Sequence, residues 1–167
     1  MTSVEIEKKY IIKMPELEAL KEREGYSESE IVQIYLPSPD GVTRRIRKRT
    51  AGGNSVYTKT EKKRIDAMSA FESESEIDAA QFDRLALVPR DGTRPILKKR
   101  ITFLFGGRLF ELDVYPEWER SCILEVELPT RDVTVEFPPF LELVLDVTGD
   151  KKYSNAAMSR AFPKELI

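Results

Sequence analysis

Charge recurs at every second position in one segment of this chain after another, in most of them with a single sign. Glu5, Glu7 and Lys9 share one face of the first such segment, against Val4, Ile6, Tyr10 and Ile12 on the other. Arg45, Arg47 and Arg49 form the next row, followed by Lys59 beside Tyr57, and then Glu72, Glu74 and Glu76. Lys98 and Arg100 alternate with Leu97, Ile101 and Phe103. Glu111 and Asp113 alternate with Phe110, Leu112 and Val114, and Glu125 and Glu127 with Leu124, Val126 and Leu128. Period two is the strand signal. Like charges two residues apart on one face repel, and a free surface has no reason to line them up. A sheet closed on itself with its charged faces inward would bring rows of both signs together. Its apolar faces would then point outward, under covering helices.

The punctuation agrees with such a fold. Turn signals at Pro37–Gly41, Ala51–Asn54, Pro89–Gly92, Gly106–Gly107, Pro129–Asp132 and Pro138–Pro139 separate short strand patterns. Strands are expected near 3–13, 30–36, 43–50, 55–60, 70–77, 95–105, 108–115, 121–128 and 144–148. Helices are expected over 15–24, 78–88, 138–143 and 154–161. The fold class is α+β: an antiparallel sheet closed into a barrel with a few flanking helices. At 167 residues the chain is read as one domain over 1–167.

Composition narrows the chemistry. Lys and Arg number 27 against 29 Asp and Glu, so net charge is only -2 and makes no case for nucleic acid or membrane. There is no histidine and one cysteine, Cys122, which removes imidazole catalysis, an intrachain disulfide and cysteine metal clusters. No apolar run approaches the ~18 residues of a membrane span. Met1–Glu5 carries no signal-peptide pattern, so a cytoplasmic location is expected. The basic run Arg44–Arg49 looks like a nucleic-acid patch, but in a strand Arg45 and Arg47 face away from Arg44 and Lys48, and carboxylate rows repel phosphate.

The candidate lumen holds the acids Glu5, Glu7, Glu72, Glu74, Glu111, Asp113, Glu125, Glu127 and Asp146. Its bases are Lys9, Arg45, Arg47, Lys59, Lys98, Arg100 and Lys152. Two divalent cations would turn the small excess of acid into a positive balance, able to take a polyanion. Carboxylates with water suit the hard cations Mg²⁺ or Mn²⁺, and Arg and Lys suit phosphate oxygens. The residues point to a metal–phosphate site.

The ordered series Glu5-Ile6-Glu7-Lys8-Lys9, Gln33-Ile34-Tyr35-Leu36, Arg45-Ile46-Arg47, Tyr57-Thr58-Lys59, Glu72-Ser73-Glu74, Lys98-Lys99-Arg100, Glu111-Leu112-Asp113, Glu125-Val126-Glu127 and Asp146-Val147-Thr148 carries a resemblance. Over nearly its whole length the chain resembles the CYTH domain family, the triphosphate tunnel metalloenzymes. The resemblance implies an eight-stranded antiparallel tunnel that binds a triphosphate with divalent metal. It implies metal-dependent hydrolysis of inorganic tripolyphosphate, with nucleoside triphosphates as further substrates. A class IV adenylyl cyclase, a thiamine triphosphatase and, from another class, a non-catalytic polyphosphate or nucleotide sensor stand as alternatives. By position, Glu5, Glu7, Glu125 and Glu127 would hold metal and orient water, and the seven bases would grip phosphates. Glu72, Glu74, Glu111, Asp113 and Asp146 would complete the metal site or brace the bases.

Overall fold

The structure, a computed structural model, describes residues 2–167, with Thr2 described by its backbone alone. Eight antiparallel strands close into a barrel: β1 (Thr2–Lys13), β2 (Ser27–Leu36), β3 (Val42–Ala51), β4 (Asn54–Arg64), β5 (Ser69–Ile77), β6 (Ile96–Phe105), β7 (Arg108–Val114) and β8 (Ser121–Glu127). The ring runs β5-β4-β3-β2-β6-β7-β8-β1 and closes where residues 2–6 of β1 pair with β5. Residues 7–13 of β1 pair with β8, and a ninth strand, β9 (Leu143–Asp146), adds to β1 at Tyr10–Ile12.

Turn chemistry sets the hairpins. Gly52 and Gly53 (φ 57° and 80°) join β3 to β4, and Gly106 and Gly107 (φ 58° and 73°) join β6 to β7. Two consecutive left-handed residues are what a tight hairpin demands.

The outward faces bury the apolar residues. Tyr10, Ile12, Ile101, Phe103, Phe110, Leu112, Leu124 and Val126 form one cluster on the outside of β1, β6, β7 and β8. Phe103 and Phe110 stack at 5.6 Å. Their cover differs from the expected helices. Helix α1 is only Leu17–Leu20, and residues 138–143 form no helix. Instead an irregular segment lays Val133, Val135, Phe137, Phe140 and Leu141 across the cluster. Pro138 and Pro139 withhold two backbone donors there, which disfavours helix. On the other side α2 (Ala79–Ala86), started by a reciprocal Asp78–Gln81 capping box, seats Phe82 on Leu36 and Ile46.

A third cluster sits partly inside. Ile11 and Ile123, paired across β1 and β8, pack with Ile96, Tyr35, Tyr115, Trp118, Tyr153 and Met158. A 3₁₀ turn (Lys151–Tyr153) and α3 (Asn155–Arg160) bring the last two, closing the barrel below the charged rows. Among the described residues no helix is long and apolar enough to cross a membrane.

Phe110→Ala should lower the unfolding free energy by about 3–5 kcal/mol in urea titration, through lost burial and an unfilled cavity. Leu87→Ala, at a side chain 81% exposed, should stay within ~0.5 kcal/mol of the parent.

Candidate active site

The inward-facing positions of the barrel surround a cavity of about 920 Å³. Glu5, Glu7 and Lys9 from β1 line it, with Arg45, Arg47 and Arg49 from β3. Glu72 and Glu74 from β5, Lys98 and Arg100 from β6, Glu111 from β7 and Glu125 and Glu127 from β8 complete the charged lining. The expected inward rows on these six strands therefore share one space.

Four expected positions do not line it. Lys59 is opposite Ile46 on the outer face, and its neighbour Tyr57 packs on Phe82, so the face expected for β4 is inverted. The inner side chains of β4 are Thr60, Lys62 and Arg64. Asp146 lies outside, pairing with Lys8 on the outer face of β1 at 3.8 Å and capping the Thr148 amide at 2.9 Å. Lys152 is exposed with its ammonium over the Tyr153 ring, and Lys151 faces the cavity in its place. Asp113 points inward but is wholly buried, with both oxygens committed to bases, so its place is that of a brace.

The lumen is divided by sign. The contiguous strands β7, β8, β1 and β5 carry the acids, and Glu7 stands directly opposite Glu127, as Glu111 does Glu125. The opposite wall, β4, β3 and β6, carries the bases. Between β3 and β6 runs β2, whose inner residues Ser29, Ile31, Gln33 and Tyr35 are uncharged. On the acidic wall Lys9 Nζ lies 3.4 Å from Glu125 and 3.2 Å from the Tyr153 carbonyl. Across from it Lys62 reaches Glu5 at 3.4 Å and Glu72 at 3.7 Å.

These pairings set the proton affinities. Burial, reinforced by the nearby Glu125 carboxylate, pushes Glu7 up to about 8. Burial and the neighbouring acids also raise Glu5 and Glu127. Glu125 goes the other way: burial opposes ionisation, but Lys9 above all holds it down at about 2. At the base of the site Asp113 accepts from Lys98 Nζ at 2.8 Å and from Arg100 at 2.8 and 2.9 Å. Arg100 and then Lys98 outweigh its burial and hold its carboxyl well below the usual range.

The site's chemistry follows from two imbalances. The acidic wall sets carboxylates directly opposite one another, Glu7 to Glu127 and Glu111 to Glu125, with Lys9 as the base its own strands supply. Hard oxygen donors in that condition fit a divalent cation, although among the described residues no three acids already form an ion cage. The basic wall has the opposite surplus, since Arg45 Nε is buried with no hydrogen-bond partner among the described residues. An orphaned guanidinium donor facing a cavity fits an anion. Sequence reading placed Arg49 in its row but missed Lys62, Arg64, Arg90 and Lys151 as lining residues. Only Lys62 and Arg64 had a readable signal, the alternation continuing past Thr60.

No protein-family model matches the chain. An inorganic triphosphatase of Nitrosomonas europaea is 32% identical over 165 residues, covering 95% of this chain and 99% of that protein. The solved structure of the inorganic triphosphatase NE1496 superposes with TM-score 0.61 at 28% identity, over 95% of this chain and 96% of that one. The PH1819 protein from Pyrococcus horikoshii OT3, at 23% identity, shares the fold with TM-score 0.58 over 77% of this chain and 80% of its own. With the barrel closed, its lumen charged and a relative of that identity spanning both chains, this protein belongs to the CYTH, or triphosphate tunnel, family.

Proposed function

We propose that this chain is a hydrolase of phosphoric anhydrides that cleaves inorganic tripolyphosphate to pyrophosphate and phosphate. The observation that carries the reading is the two-walled lumen: unneutralised arginines on one side, mutually repelling carboxylates on the other. The triphosphatase named above, similar over its whole length, points to the same substrate.

The work divides between the walls. Arg45, Arg47 and Arg49 grip the phosphate oxygens, with Lys98 and Arg100 held beneath by Asp113. Glu5 and Glu127, with Glu72, Glu74 and Glu111 beside them, would hold Mg²⁺ or Mn²⁺, and two ions fit the charge of the acidic wall. A cation bound there would neutralise the phosphate chain and make water a better nucleophile. Glu7, on β1 between Glu5 and Lys9 and directly opposite Glu127, would as the carboxylate take the proton of the attacking water. The water oxygen forms the new bond to the terminal phosphorus, and the bond from that phosphorus to its bridging oxygen breaks. Pyrophosphate leaves with its new charge held by the arginine row. Phosphoryl transfer asks for positioning and charge neutralisation more than covalent help, which suits a site without histidine.

Phosphate release from tripolyphosphate should require added Mg²⁺ or Mn²⁺ and stop with chelator; release undiminished by chelator would sink the metal assignment. Arg45→Ala and Lys62→Ala should each lower kcat/KM roughly 30- to 1000-fold, whereas Arg44→Ala, Lys48→Ala and Lys59→Ala should be near silent. Equal effects across the two sets would remove the inner-face assignment.

The raised Glu7 also makes a stability prediction. Its folded proton affinity exceeds the unfolded one, so its stabilisation is full below about pH 4.5 and is lost as pH rises toward 8. Lys98, brought down to about 7 chiefly by burial, works in the opposite sense only from about pH 7 upward. In metal-free buffer Tm should therefore fall between pH 5 and 7, and Glu7→Gln should flatten that fall.

A further inference from the structure

The cations of the lumen are anchored in two different ways. Lys9 is tied to Glu125, Lys62 to Glu5 and Glu72, and Lys98 and Arg100 to Asp113. Each has a carboxylate that offsets its charge. The β3 row does not. Among the described residues no carboxylate lies within ion-pair reach of Arg45, Arg47 or Arg49; Arg47 and Arg49 bond neutral side chains, and Arg45 Nε bonds none. Arg49 Nε donates to Ser29 Oγ at 2.9 Å. Arg47 donates through two nitrogens, at 3.0 and 2.6 Å, to the amide oxygen of Gln33.

Gln33 is the decisive residue. It is fully buried, does not line the cavity, and lies opposite Arg47 on the neighbouring strand. Its amide nitrogen donates to the Tyr35 hydroxyl at 3.1 Å, which fixes which way the amide points. A carboxylate at this position would have the same size and would compensate the buried guanidinium far better. It would also neutralise it. An amide holds the fork in place and leaves the positive charge to whatever enters the lumen. Burial, with Arg45 and Arg100 nearby, correspondingly weakens the hold of Arg47 on its proton.

We propose that Gln33 is a positioning residue that orients Arg47 without neutralising it, and that this uncharged anchoring makes β3 the polyphosphate grip of the site. The inference rests on the reading that the lumen takes a polyphosphate. It adds that affinity there is gained at the expense of stability, a trade that an ordinary structural amide would not show.

The test is the pair Gln33→Glu and Gln33→Met, each titrated calorimetrically with inorganic tripolyphosphate and melted without ligand. Gln33→Glu should weaken binding roughly 10- to 100-fold while its Tm stays level or rises. Gln33→Met, which loosens Arg47 but adds no charge, should weaken binding clearly less. Affinity of Gln33→Glu within about 2-fold of the parent, or equal weakening in both variants, overturns the proposal. Should Gln33→Glu fail to fold, Ser29→Asp reads the same logic at Arg49, where unchanged affinity overturns it. Because these are ratios of binding constants, they remain readable if the parent binds tripolyphosphate without hydrolysing it, the result that would instead defeat the proposed reaction.

Discussion

A single carboxylate with no solvent exposure, Asp113, holds together the charged interior of this barrel. It takes the Lys98 ammonium on one oxygen and shares both with the Arg100 guanidinium. Burying one charge alone would cost several kcal/mol, and burying two cations beside an unpaired arginine row would cost more. With Asp113 in place, β6 can carry two bases below the phosphate level and remain folded. The aromatic and aliphatic cluster around Tyr115, Ile123 and Ile96 then keeps water out beneath it. Remove that acid and the basic wall has nothing to stand on.

The walls above this base are kept apart by β2. Its inner face of Ser29, Ile31, Gln33 and Tyr35 spaces β3 from β6 without adding a charge of either sign. On the far side Lys9 sits within the acidic wall and Lys62 reaches it from β4, each satisfying one or two carboxylates and leaving the others crowded. The site is thus poised by incomplete neutralisation on both sides, which a metal–polyanion complex can complete from within.

Much of this could be read from residue spacing, because single-sign rows at period two leave few alternatives to an enclosed lumen. The reading worked where both faces of a strand were decisive, as in β6, with Lys98 and Arg100 against Ile101 and Phe103. It failed on β4, where the strand was expected to stop at residue 60. That cut off Lys62 and Arg64 and left Lys59 as the visible charge. Asp146 and Lys152 misled for a local reason: each serves its own turn, through the Thr148 amide and the Tyr153 ring. Gln33 belongs to the Gln33-Ile34-Tyr35-Leu36 motif, yet its role depends on which charge stands opposite it across the sheet, and strand register is a tertiary fact.

The double pairing of β1 has a kinetic meaning. Its first residues bond β5 and its later ones β8, so Glu7 meets Glu127 across most of the chain. Rings closed by such distant partners form slowly, since the entropy of a long loop must be spent before any contact rewards it. The acids of β1 meet those of β8 only through this distant pairing. Contacts local in sequence carry none of that repulsion, so the pairing that costs most in loop entropy is also the one that brings the facing carboxylates together.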